Sequence, residues 1–176
     1  SQNVPVITLN GVSKNYYAPG WRIGYMAWHD PFNNLSLVRD GVERLLRSRL
    51  CASTPAQFGY LAGLEGSREW MNVYKDKLLK QRDLCIKRIQ SIDGLEVTKP
   101  NGAFYMFVRI TNDHWKSNDK DFVLKLLHEE HVLMVHGSGF SSEYGNGHFR
   151  IVFLPCMEIL NEAFDRIEQF LLRYKK

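Results

Sequence analysis

Lys14 and Arg22 stand eight positions apart in a segment, Gly11 to Gly24, that also carries three glycines and a proline. A short apolar run precedes it, Val4 to Leu9, and another follows, Ile23 to Trp28. Two strand-like stretches therefore flank a turn that holds both an amine and a guanidinium. Glycines allow tight turns and a close approach of backbone to a ligand. Lys14 has two readings. One is an ordinary solvated turn lysine. The other is a Schiff-base lysine in a semi-buried turn, which must be neutral part of the time because the ammonium is not a nucleophile. Arg22 suits a phosphate group, which accepts two parallel hydrogen bonds.

Arg150 is the second chemical position. Phe149, Ile151 and Phe153 alternate with Arg150, Val152 and Leu154, so the arginine sits in an apolar strand whose faces differ. A lone charge buried there costs several kcal/mol. The residue is thus a structural ion pair or wet strand end, or else an anion site.

Ser13-Lys14 followed by Gly20-Trp21-Arg22-Ile23-Gly24 resembles the cofactor-lysine motif of class I/II aminotransferases, the fold-type-I pyridoxal-phosphate-dependent family. The resemblance implies that Lys14 forms the internal aldimine and moves the proton, that Arg22 binds the cofactor phosphate, and that Ser13 supports the phosphate region. Many members carry a serine three positions before the lysine, where this chain has Gly11. Phe149-Arg150-Ile151 resembles the strand bearing the family's substrate arginine, which casts Arg150 as the ligand of the amino acid's carboxylate. Gly137-Ser138-Gly139-Phe140 and Gly102-Ala103-Phe104-Tyr105 resemble its small domain.

The resemblance covers nearly the whole chain but only the latter half of the family's usual length. The family's pyridinium-binding aspartate, stacking aromatic and glycine-rich phosphate loop precede the lysine, so no residue here is assigned to them, and the isolated chain is expected to be inactive or nearly so. The implied reaction is transfer of an amino group between an amino acid and a 2-oxo acid, with pyridoxal 5'-phosphate as cofactor and a homodimer as assembly. A lyase or decarboxylase with the same lysine motif, or a non-catalytic truncated domain that associates through an unfinished sheet, are the alternatives.

The elements that must position these residues follow from spacing. Val4 to Leu9 reads as a strand buried on both faces, which suggests the back portion of a longer protein. Asp30-Pro31-Phe32-Asn33-Asn34 ends the second strand. Leu35, Val38, Val42, Leu45, Leu46 and Leu50 fall at helical spacing. Thr54-Pro55-Ala56-Gln57 reads as a capped helix start, running to Gly66. A long helix begins near Ser67 and stops at Asp93-Gly94. Strands are expected at Leu95 to Thr98, Ala103 to Ile110, Val132 to His136 and Phe149 to Leu154. Asn112 to Lys120 reads as a polar loop, Phe122 to Leu127 as a short helix begun by Asn118 or Asp119, and Leu160 to Leu171 as an amphipathic helix. The fold class is α/β: the end of a pyridoxal-phosphate-transferase large domain over 1–66, a linking helix over 67–93, and a small α+β domain over 94–176.

Composition fits an ordinary globular protein of 176 residues, 44% hydrophobic and 24% charged. The net charge of +4 is interspersed, with no basic stripe for nucleic acid. No run approaches the ~18 apolar residues of a membrane span. Cys51, Cys85 and Cys156 lack metal spacing and suit a reducing, cytoplasmic setting. The six histidines show no metal-binding spacing, so no metal is expected. A serine-hydrolase elbow is absent, and Gly137-Ser138-Gly139 reads as a plain turn or a weak phosphate nest.

Overall fold

The computed structural model describes residues 3–174, and the chain divides between Asn72 and Val73 into two compact units. In the first, β1 (Val6–Gly11) and β2 (Gly24–His29) form a two-stranded antiparallel ribbon with Val6 opposite His29 and Gly11 opposite Gly24. The burial expected for the first strand on both faces is not met. Val6, Ile7 and Leu9 are exposed, because β2 is the one strand paired to β1 among the described residues. After β2 the Asp30 carboxylate accepts the amides of Asn34 and Leu35 at 2.9 and 2.8 Å, which turns the chain into α2 (Ser36–Arg47). That helix has the expected apolar spacing yet buries none of its residues.

The next helix, α3 (Thr54–Glu65), starts where Pro55 favours a first turn. Its cap differs from expectation. Ser53 rather than Thr54 is the N-cap, without a side-chain cap bond, and Gln57 Nε2 donates to the Ala52 carbonyl at 2.9 Å instead of closing a capping box. The core of this unit is small: Val12, Ile23, Ala56 and Tyr60, with Tyr16 and Ala18 packed against it.

The long helix is α4 (Trp70–Ser91), 22 residues and shorter at both ends than the sequence suggests. At 1.5 Å per residue it spans about 33 Å. Gly94, at φ 93°, turns the chain after it. The second unit is a four-stranded antiparallel sheet of order β3-β4-β6-β5, with β3 (Leu95–Val97), β4 (Tyr105–Ile110), β5 (Val135–His136) and β6 (His148–Val152). The expected five-residue strand at 132–136 contracts to the two residues that pair with Arg150 and Phe149.

Two helices complete this unit, α5 (Asp119–Glu130) and α6 (Met157–Leu172). Strand alternation sends Met106, Val108, Ile110 and Phe149 into the core. Phe149 meets Phe122 of α5 at 5.5 Å, and Phe122 meets Phe170 of α6 at 5.6 Å. Arg88 of α4 binds Asp165 of α6 at 2.7 Å. Buried Gln81 of α4 donates to the Leu154 carbonyl at 3.2 Å and to that of Pro155. The segment 112–118 is polar but not merely a loop, since Trp115 is buried among Phe122, Phe170 and Tyr174.

Candidate active site

The residues singled out in the sequence fall in two places, one in each unit. In the first, the strands approach so closely at the Gly11–Gly24 pair that a Cβ on Gly24 would lie 2.5 Å from the Asn10 carbonyl. Only glycine fits there. The Val12 amide donates to the Ile23 carbonyl at 3.2 Å, which closes residues 12–23 into a loop. Val12 and Ile23 point into the core, Tyr16 and Ala18 pack against it, and the far side of the loop, Pro19 to Arg22, is exposed.

One helical turn, α1 (Val12–Asn15), carries Ser13 and Lys14. The chain returns through a 3-10 turn, Pro19–Trp21, into Arg22 at φ 52°. Arg22 Nη1 donates to the Pro19 carbonyl at 3.0 Å, so the guanidinium folds back over its own turn. Ser13, Lys14 and Arg22 are thus brought onto a single loop. Lys14 is exposed rather than semi-buried.

Helix α3 backs this loop through two glycines four residues apart. Trp21 lies over Gly59 and Tyr16 over Gly63, where added Cβ atoms would meet the rings. Tyr16 also contacts Tyr60 edge-on at 5.7 Å. Burial, and then the neighbouring phenols of Tyr25 and Tyr16, push the Tyr60 hydroxyl above its ordinary pKa.

The loop thus offers one amine and one guanidinium. The amine can engage a carbonyl carbon, and the guanidinium matches a phosphate dianion. A Cβ on Gly20, between the two, would meet nothing within 4 Å, so the loop is open to solvent at that position.

In the second unit, one face of the sheet presents Tyr105, Phe107 and Arg109 of β4 beside His148 and Arg150 of β6. Phe107 lies opposite Arg150 and Arg109 opposite His148. An open groove of about 1010 Å³ runs over this face. The Arg150 guanidinium carbon is 4.7 Å from the ring centres of both Tyr105 and Phe140, so two aromatic faces flank one cation. Among the described residues no carboxylate pairs with Arg150. Its Nε is buried without a hydrogen-bond partner. The structural ion pair therefore has no acid to rest on, and the planar fork remains available to an anion from outside.

Three contributors escaped the sequence reading as site residues. Tyr105 and Phe140 flank Arg150, although both fall in stretches that resemble the small domain. Asp119 reads as an ordinary helix start, yet it is buried and accepts the Ser138 amide at 2.8 Å. Burial raises its pKa, but hydrogen bonds from the Ser138 amide and hydroxyl, the Gly147 amide and its own amide outweigh that and hold the carboxyl below its usual range. Among the described residues no group of histidine, cysteine, aspartate and glutamate could hold a metal, and no helix is long and apolar enough to cross a membrane.

The chain is similar to several known proteins. An alanine aminotransferase structure from Pyrococcus furiosus superposes with a TM-score of 0.91 at 55% identity, covering 98% of this chain and 44% of that one. A tyrosine aminotransferase structure from Leishmania infantum does so with a TM-score of 0.85 at 27% identity, covering 99% and 43%. A glutamate-pyruvate aminotransferase from Haemophilus influenzae is 37% identical over 174 residues, 97% of this chain and 43% of that protein. The chain therefore spans less than half the length of the relatives it matches. Residues 1–167 match the family described as aminotransferase class I and II. Because that match runs over nearly the whole chain, the chain belongs to the class I and II aminotransferases.

Proposed function

We propose that this chain contributes the lysine and arginine loop, and the substrate-carboxylate arginine, of an enzyme that transfers an amino group between an amino acid and a 2-oxo acid. The observation that carries the reading is the single loop joining Lys14, Ser13 and Arg22 behind the Gly11–Gly24 pair. Members of the family use pyridoxal 5'-phosphate, which when bound supplies the electron sink for the reaction. Lys14 Nζ would hold the cofactor and carry the proton that leaves the substrate α-carbon. Arg22 would bind the phosphate through its fork, with the Ser13 hydroxyl as a further donor. Gly11 offers no hydroxyl to that group.

Arg150 would bind the amino acid's carboxylate bidentately. The rings of Tyr105 and Phe140 exclude water from its faces, which strengthens that ion pair. The names of the similar proteins, alanine and glutamate-pyruvate aminotransferases, favour a small amino acid and its 2-oxo acid as one substrate pair. A homodimer is part of the proposal, since the exposed Leu37, Leu45 and Leu46 of α2 offer apolar surface to a second copy. A cytoplasmic setting is supported by three cysteines that are all free thiols. The proposed domain division is 1–66, 67–93 and 94–176.

The test is titration with pyridoxal phosphate followed by visible absorption, then borohydride reduction and peptide mapping. The expected label is on Lys14 and is lost in Lys14→Ala. Labelling scattered over the surface lysines refutes the assignment.

A further inference from the structure

The geometry points to Asp119 as a positioning residue for Arg150, acting through the loop 137–147 and its aromatic residue Phe140. The inference rests on the reading of Arg150 as the carboxylate site. Asp119 is 3% exposed at the start of α5. Its Oδ2 accepts the Ser138 amide at 2.8 Å. One buried acid thus fastens the β5 end of the loop between β5 and β6, two residues before Phe140. His136 Nδ1 lies 3.8 Å from that oxygen and 2.9 Å from Ser138 Oγ, which adds a second link at the same end.

The Phe140 ring covers the guanidinium at 4.7 Å and meets Phe107 edge-on at 6.0 Å. Yet Phe140 is 52% exposed. Burial alone does not hold a ring that open, so its place depends on the backbone that Asp119 fastens. Arg150 in turn has no acid among the described residues to aim it. The two rings set the plane of its fork, and the fork's plane decides whether a carboxylate can engage both nitrogens.

The experiment is nuclear magnetic resonance of the chain, watching the Arg150 Nε–H signal during titration with pyruvate. In the wild type, flanking rings shift that signal. Asp119→Ala is expected to erase the contribution of Phe140 and to weaken pyruvate by about tenfold, the scale of one charge-assisted contact. Phe140→Leu, at an exposed position that can fold without the ring, is expected to do the same with Asp119 intact. Arg150→Lys is expected to abolish binding. If pyruvate binding needs Arg150 but both other variants keep the wild-type signal and affinity, the positioning role is overturned and the carboxylate reading stands. A drop in thermal midpoint with an unmoved signal makes Asp119 merely structural and also overturns the role. If Arg150→Lys binds pyruvate as the wild type does, the carboxylate reading fails and the positioning role falls with it.

Discussion

Replacing Gly59 by alanine tests whether α3 backs the lysine loop in solution. Alanine in a helix interior gains roughly 1 kcal/mol over glycine. Gly41 in α2 shows that gain undisturbed, because a Cβ there would meet nothing within 4 Å. At Gly59 the same methyl would overlap Cζ3 of Trp21 and lie 2.7 Å from Cη2. Ordinary carbon contacts need about 3.5–4 Å, so the ring must retreat by roughly 1.5 Å or leave. Trp21 is 52% exposed. About half of its roughly 200 Å² is therefore buried, and complete loss at ~25 cal/mol per Å² costs ~2.5 kcal/mol. Gly59→Ala should thus fall between no net change and a loss of about 1.5 kcal/mol, while Gly41→Ala gains about 1. Chemical denaturation followed by circular dichroism measures both. Trp21 adjoins Arg22, so the same substitution should weaken pyridoxal phosphate by about tenfold in a spectroscopic titration, since a misplacement of 1 Å is felt strongly at an oriented site. If Gly59→Ala gains the full helix-propensity increment and leaves cofactor affinity unchanged, the Trp21 ring does not rest on α3 and the reasoning fails.

Phe149→Ala, at a position with no exposed surface between β4 and α5, should destabilise the second unit by about 3–5 kcal/mol in denaturant titrations. Cys85 is fully buried and its thiol is pushed up to about 12 by burial. A thiol reagent should therefore label exposed Cys51 and Cys156 in the native protein and reach Cys85 only on unfolding. Because the folded state holds the Asp119 carboxyl below its usual range, that group's stabilisation is present above about pH 4 and is lost as pH falls through the lower, folded-state value. Asp119→Asn should remove this part of the acid dependence in denaturation measured against pH; an unchanged slope would show that the carboxylate is not held.

The lysine loop was legible because its parts are local. Gly11, Lys14, Arg22 and Gly24 lie within one hairpin, and the apolar runs on either side fix its strands. Arg150 was legible for a similar reason, since the alternation of Phe149, Ile151 and Phe153 declares which face the arginine leaves. The cover on those residues was not. Gly59 and Gly63 weaken a helix by propensity, and nothing in α3 says that Trp21 and Tyr16 fill the space they leave. Asp119 and Ser138 are 19 positions apart in sequence, and their bond depends on how the sheet and α5 pack. Burial of β1 was misjudged because an unbroken apolar run reports the need for cover without naming what supplies it.

The glycine pair at the mouth of the lysine loop also works as a ruler. A side chain at position 24 would strike the Asn10 carbonyl, so the strands can draw this close only with Gly24 opposite Gly11. Slipping by one residue would turn every ribbon side chain to the other face and bring Tyr25 or Ile23 against that carbonyl. The segment between the glycines therefore behaves as a cassette of fixed length. Lys14 stands three positions after the first glycine and Arg22 two before the second, so pairing the glycines sets where the amine leaves one strand and the guanidinium enters the other.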